Sequence, residues 1–403
     1  MHLRTCTRLL LATLCVLAPL SLAARDTSNT GQQREDVLFW TQAQRDAQFS
    51  QMYKLFPGDH IAHGAPVRKL AEGAPLTPRW DDATTLDSYM HAQHIAGVMV
   101  LQHGKIRLQR YAANFGPQQR WTSFSVAKSF TSTLLGAAVR DGYIHSLDDT
   151  LVTYIPQLHD SAYADVTVRQ LLTMTSGVRW NEDYADPKSD VAQMYRSACR
   201  NGQPHVLPYL EKLPREWPAG THWNYNTAET DLLGILVQRA THRSLARYLQ
   251  QTIWQPYGMA ADAYWLKDEC DGSDTGGSGL SATLADYARM GQFMLGGARI
   301  NGTSVVAADW LHNALRKQQD VGEPGRGYGY QWWTYDDGSY AGIGIFGQLL
   351  YVDPHRQLVI AQVGAWPQAG SKALVASRRA FIAAVTRAVD EIGVTAPEQQ
   401  QKP

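Results

Sequence analysis

Ser125 and Lys128 stand three positions apart in "SFSVAKSF", residues 123–130, a run that is otherwise mostly apolar. On a helix this spacing puts both side chains on one face, within reach of each other. A nucleophile and its proton acceptor need that geometry. A serine hydroxyl at its ordinary pKa is a poor nucleophile, whereas a lysine held among apolar groups is disfavoured in its charged form and can act as the base. The start of a helix adds partial positive charge and a free backbone N–H, which suits an oxyanion forming at Ser125. The same tetrad also fits a capping serine beside a surface lysine, so the reading needs support from elsewhere in the chain.

Two further stretches offer it. In "GTHWNYNTAETDLLG", residues 220–234, Tyr225 precedes Asn226, and Glu229 follows three residues later, a capping arrangement at the start of a helix. A tyrosine at that junction, its phenolate stabilised by the helix end and a lysine, is a candidate general base or acid; the alternative is a core tyrosine with an idle hydroxyl. In "YAGIGIFGQLLYVDP", residues 340–354, Gly342, Gly344 and Gly347 interrupt a strand pattern. Something must approach that backbone closely, either a substrate strand or acyl group, or a packed helix.

Other polar groupings carry less. Ser189-Asp190-Val191 lies in a loop expected to line a cleft, His91 and His94 lack a third metal ligand, and Asn301-Gly302-Thr303 reads as a turn rather than a glycan acceptor.

The elements that must position these residues follow from periodicity. "AGVMVLQHGKIRLQRYA", residues 96–112, reads as a hairpin turning at His103-Gly104. Ser125 to Val139 recurs at helical spacing and ends at Gly142, predicting a buried helix. From about 145 to 290 the chain is expected to be mostly helical, with "VTVRQLLTMTSG" stopped by Gly177 and "TDLLGILVQRATHRSLARYLQQTIW" as one long helix. After about 325, aromatic and β-branched runs separated by Asp-Gly and Asp-Pro predict antiparallel strands, and residues 371–392 a closing helix. Strands at both ends therefore enclose a helical insert: an α/β (α+β) fold with an antiparallel sheet flanked by helices, a mostly helical lobe, and a cleft between them.

Composition bounds the rest. The 403 residues are 44% hydrophobic and 18% charged, with zero formal net charge, enough for a large core and without the basic footprint of a nucleic-acid binder. Arg4 and Arg8 precede an apolar run ending in Ser21-Leu22-Ala23, which predicts an export leader cleaved near Ala23, no lasting membrane anchor, and a secreted or periplasmic protein. Residues 24–85 read as an N-terminal arm, 86–395 as the folded domain (sheet lobe about 90–124 and 325–395, helical lobe about 125–300) and 396–403 as a tail. Cleavage would leave Cys199 and Cys270, which an oxidising compartment could pair or leave apart.

Together, the order Ser-x-x-Lys, then a tyrosine near an "LLG" helix, then a glycine-rich late strand resembles the penicillin-recognising serine hydrolases: class C β-lactamases, D-alanyl-D-alanine carboxypeptidases and related esterases. The likeness runs from about residue 90 onward. "VRQLLTMTSGVRWNEDYADPKSD" and "GIFGQLLYVDP" are similar to the branch containing 6-aminohexanoate-dimer (nylon oligomer) hydrolases. The resemblance implies a β-lactamase/transpeptidase-like fold, Ser125 as acylated nucleophile, Lys128 and Tyr225 as a proton-transfer pair, and an oxyanion hole from the backbone N–H groups of Ser125 and Ile345. It implies a substrate-contacting role for Tyr184, and neither metal nor organic cofactor. Two departures bear on substrate. Thr227 replaces the asparagine of Tyr-x-Asn, and Gly342-Ile343-Gly344 replaces Lys-Thr-Gly, so Thr227 and Gly344 face the substrate where family members place an amide and a cation-bearing strand. With no cation at that position to hold a carboxylate, the expected substrate is a small ester or linear amide rather than a β-lactam. The alternatives are a β-lactamase or D-alanyl-D-alanine carboxypeptidase, and a non-hydrolytic sensor of peptidoglycan fragments or β-lactams.

Overall fold

The computed structural model describes residues 37–200 and 202–395. The expected leader and tail lie outside the described residues. Nine strands form the main sheet, in the order Gln319–Asp320, Arg326–Tyr328, Trp333–Tyr335, Tyr340–Ile343, Leu349–Asp353, Leu358–Gly364, Ile95–Gln102, Lys105–Tyr111 and Ala71–Glu72. All neighbours are antiparallel except the edge pair of Ala71–Glu72 with Lys105–Tyr111. The predicted hairpin is present, and His103 and Gly104 both adopt positive φ, which a tight turn between right-twisted strands requires. As expected, early and late strands meet: Val100 lies opposite Ile360.

Four helices matter for the site: α1 (Val126–Arg140), α2 (Thr227–Thr241), α3 (Leu284–Leu295) and α4 (Lys372–Thr395). Gly291 lets α3 approach the sheet so closely that a Cβ there would stand 2.4 Å from Val359. Three residues along the same strand, hence on the other face, Gln362 accepts a 2.8 Å hydrogen bond from Tyr89, whose ring stacks on Phe381 of α4. Sheet faces covered on both sides explain why Leu358–Gly364 and Ile95–Gln102 are buried throughout instead of alternating.

Three expectations change. Residues 37–85 are not a peripheral arm: Trp40, Phe49, Met52, Phe56 and Ile61 are buried, and Gly58–Ile61 is the edge of a second, four-stranded sheet with Ala263–Leu266, Leu280–Thr283 and Arg120–Thr122. Their apolar residues are scattered among polar ones, and only tertiary packing gathers them. The region expected as helical therefore contains two strands of this sheet, each only four residues long. The long helix over 230–254 is broken, because His242 turns left-handed (φ 54°) after α2 and Ser244 caps a separate helix, Leu245–Leu249. Cys199 and Cys270 are joined in a disulfide closing 71 positions of chain, worth about 4 kcal/mol in the chain-entropy picture. No helix among the described residues is long and apolar enough to cross a membrane.

Candidate active site

The second sheet delivers the nucleophile motif. Arg120–Thr122 leads into Ser123, whose N–H donates to Leu280 O at 2.7 Å, and Phe124 then takes a positive φ of 42° before α1 begins. A bulky residue in that region is strained, and the turn sets Ser125 at the N-cap of α1. Its hydroxyl does not cap the helix, leaving it free for other work. The helix behind it is buried from Val126 to Ala138. Its hydroxyls are satisfied by carbonyls of packed segments: Ser129 to Gln331, Thr131 to Gly276 and Ser132 to Tyr330, at 2.9, 2.7 and 2.7 Å. These three hydroxyl residues thus anchor α1.

Lys128, 1% exposed, points from α1 toward α2. Its ammonium donates to Thr227 Oγ1 at 3.1 Å and Gly277 O at 2.9 Å, and lies 5.5 Å from the centre of the Tyr225 ring. Burial lowers its pKa to about 8, against Glu182 and Asp231, which hold the charge. Tyr225 sits just before the N-cap Asn226, whose side chain accepts from Glu229 N at 3.2 Å, the capping read from sequence. Its ring stacks on Trp333 with an interplanar angle of 13° and a centroid distance of 5.6 Å. Burial and Glu182 push the pKa of its phenol well up, while the neighbouring Ser125 hydroxyl and Arg326 pull the other way. The expected phenolate is therefore replaced by a neutral phenol at rest, because desolvation outweighs the neighbouring Arg326.

The remaining expected residues are also assembled. Ile345 follows the inner strand Tyr340–Ile343, and neither its backbone N–H nor that of Ser125 has a hydrogen-bond acceptor among the described residues. Ser125, Ile345, Tyr184 and Thr227 line a narrow pocket of ≈ 90 Å³ together with Val37, Met52, Phe124 and Leu266. Tyr184, Tyr225, Gly344 and Ile345 line a wider cleft of ≈ 850 Å³. The glycines of this strand answer to the protein itself. A Cβ on Gly344 would meet Ser123 O at 2.8 Å, one on Gly347 would meet Trp366 Nε1 at 2.5 Å, and one on Gly342 would press on Ser129 of α1. A packed helix and loop, not a substrate strand, require them.

Two residues escaped the sequence reading. Glu182 accepts hydrogen bonds from Thr227 N at 3.0 Å, Tyr184 Oη at 2.6 Å, Thr227 Oγ1 and Trp180 Nε1. Thr227 thus bridges Lys128 to Glu182, a structural use for the residue that replaces asparagine. Gly277 accepts from Lys128 through its carbonyl and donates to Asp231 Oδ1 at 2.8 Å through its N–H; a Cβ there would stand 3.1 Å from Nζ. "TGGSG", residues 275–279, was the available signal. Ser189 caps the helix Asp190–Met194, and His94 pairs with Asp46, while Cys199, His205 and Cys270 cluster with the thiols already joined to each other.

Burial at the base of α2 has a measurable consequence. Glu229 is 2% exposed and its carboxyl is pushed up to about 8 by burial, against hydrogen bonds from Ser176, Tyr163 and Asn226. Between pH 4.5 and 8 the folded state holds this proton and the unfolded state releases it, so the group costs stability as pH rises. Glu229→Gln is expected to gain on the wild type by up to about 1.4 kcal/mol per pH unit across that window in urea unfolding; an offset independent of pH would contradict the assignment.

Residues 83–384 match the β-lactamase family. The chain belongs to that family. Among curated relatives, the 6-aminohexanoate-dimer hydrolase of Paenarthrobacter ureafaciens is 31% identical over 360 residues, covering 85% of this chain and 91% of the relative. A D-aminopeptidase of Brucella anthropi is 28% identical over 258 residues, covering 53% of this chain and 46% of the relative. Among solved structures, "Putative 6-aminohexanoate-dimer hydrolase from Bacillus anthracis" superposes with a TM-score of 0.76 at 22% identity, covering 86% of this chain and 94% of that one. The β-lactamase/transpeptidase-like fold expected from the motifs is therefore the fold present, and the protein is a β-lactamase-family hydrolase.

Proposed function

We propose that this protein is an exported serine hydrolase acting through an acyl-enzyme on small carboxylic esters or linear amides. The observation that carries it is the Ser125 hydroxyl, uncapped at the head of a buried helix and lining one pocket with Ile345, where neither residue's backbone N–H has an acceptor among the described residues. Ser125 Oγ attacks the carbonyl carbon while its proton passes to the Lys128/Tyr225 pair. The N–H groups of Ser125 and Ile345 hold the oxyanion. Tyr225 protonates the leaving nitrogen or oxygen as its bond to carbon breaks, and the pair then activates water, which releases the acid and restores Ser125. The leader motif and the Cys199–Cys270 disulfide both support an oxidising, extracytoplasmic destination.

The test is labelling of the mature protein by a fluorophosphonate, with the adduct located by peptide mass spectrometry. Modification at Ser125 that is blocked by p-nitrophenyl hexanoate is expected; a protein left unlabelled, or labelled elsewhere, would defeat the proposal. A chromogenic cephalosporin run beside the ester distinguishes the β-lactamase alternative, and a stable adduct without turnover would mark a sensor.

A further inference from the structure

The two cavities that meet at Tyr184 and Ile345 differ in chemistry. Among the described residues the narrow pocket beside Ser125 is lined by no carboxylate, ammonium, guanidinium or imidazole: its walls are Val37, Leu38, Met52, Phe124, Val191 and Leu266 with Thr and Ser hydroxyls and the rings of Tyr184 and Tyr195. The wider cleft on the Tyr225 side is lined by Arg326, Lys372, Arg378 and Arg379 against one carboxylate, Glu323. Glu323 pairs with Arg326 at 3.1 Å and with Arg379, so it does not neutralise the cleft. Arg378 is the informative member. It is 5% exposed, its guanidinium lies 4.9 Å from the ring centre of Trp366, and its Nη1 is buried with no hydrogen-bond partner among the described residues. Arg326 Nε is likewise buried and unpartnered, with the guanidinium 3.7 Å from the centre of Trp333, the ring stacked on Tyr225. Buried cationic donors left open are costly unless an anion arrives to meet them.

Direction follows from the proton. Tyr225 lines the cationic cleft but not the narrow pocket, and Ser125 lines the narrow pocket. A leaving atom protonated by Tyr225 must depart into the cleft, with the acyl group on the other side.

We infer that the substrate joins an uncharged, apolar acyl group to a leaving group bearing a carboxylate, which Arg378 and Arg326 bind in the cleft with Lys372 at its rim. The chemical class is an N-acyl amino acid. The cation absent from the Gly342-Ile343-Gly344 strand is thus supplied from α4 and from the strand Arg326–Tyr328. This deepens and rests on the serine-hydrolase reading above. An aminoalkanoyl group would instead bring an ammonium into a pocket whose described walls offer no carboxylate, Glu182 behind them being already engaged by Thr227, Tyr184 and Trp180.

The test is competition against p-nitrophenyl hexanoate with the full mature protein, so that it reads binding whether or not the competitor is turned over. N-hexanoyl-γ-aminobutyrate is expected to inhibit at least about tenfold better than its neutral carboxamide, and at least about tenfold better than the 6-aminohexanoyl analogue. In Arg378→Met the carboxylate-to-carboxamide ratio is expected to fall to within about threefold of one. Because Arg378 is buried, a doubly exposed variant, Lys372→Ala with Arg379→Ala, is measured alongside; it should lower the same ratio and make it less sensitive to salt. A ratio near one in a wild type that hydrolyses the ester overturns the inference and leaves the hydrolase standing. A ratio kept in both variants also overturns it. Failure to hydrolyse the ester at all removes the catalytic reading on which it rests.

Discussion

Ser125→Ala is expected to lower ester hydrolysis by about 10⁴-fold or more and to abolish the acyl adduct. The size follows from the covalent route: without Oγ there is no intermediate, and what survives is attack by water aided by the oxyanion donors and substrate binding alone. The fold should barely notice. Ser125 gives no helix-capping bond, and the loss of one side-chain hydrogen bond would cost only about 1 kcal/mol. Steady-state rates on p-nitrophenyl hexanoate, with unfolding midpoints recorded on the same samples, separate the two effects. Retention of more than a few per cent of activity in a cleanly folded variant would place the nucleophile elsewhere.

Lys128→Met is expected to reduce kcat/KM by about 10³-fold, within the range of general-base removal. It also makes a prediction about pH that a packing role would not. Only the neutral amine accepts a proton, and burial sets the Lys128 pKa at about 8, so wild-type kcat/KM should rise with pH through a limb centred near 8. The limb should vanish in Lys128→Met. Glu182→Gln removes the carboxylate that favours the charged amine, so it should move the limb to lower pH. A limb that stays in place in Glu182→Gln would exclude the electrostatic link through Thr227.

Part of this site is legible in the sequence. Ser125 and Lys128 announce themselves because helical spacing is a local property, and Asn226 with Glu229 announces the cap that presents Tyr225. The hairpin and late strands are legible for the same reason, each carrying its pattern within a few residues. Glu182 was hidden because its importance arises from Thr227, Tyr184 and Trp180 converging on it, and nothing in "WNEDY" distinguishes it from a surface acid. Arg378 lies in "SRRAF", an ordinary helical face until Trp366 and the cleft are placed against it. The glycines of residues 342–347 were readable as a demand for closeness, but the party making the demand, α1 and Trp366, could be known only in three dimensions. Residues 37–61 misled for a related reason, since aromatic residues scattered through polar sequence become core only when Phe49 meets Phe124 and Phe346, at centroid distances of 4.9 and 5.3 Å.

The pairing of Ile95–Gln102 with Leu358–Gly364 also bears on the order in which the enzyme comes into being. A chain made from its N-terminus has Ser125, Lys128 and Tyr225 in hand well before Ile345 and the strand that closes the sheet. Contacts so remote in sequence make folding slow and cooperative at the end. On the proposed mechanism Ser125 lacks one of its oxyanion donors until Ile345 is in place, and the cationic wall is complete only when α4 docks after the last strand. Hydrolytic competence then arrives with the completed fold, after synthesis, and a protein lacking its final segment should be inert rather than merely slow.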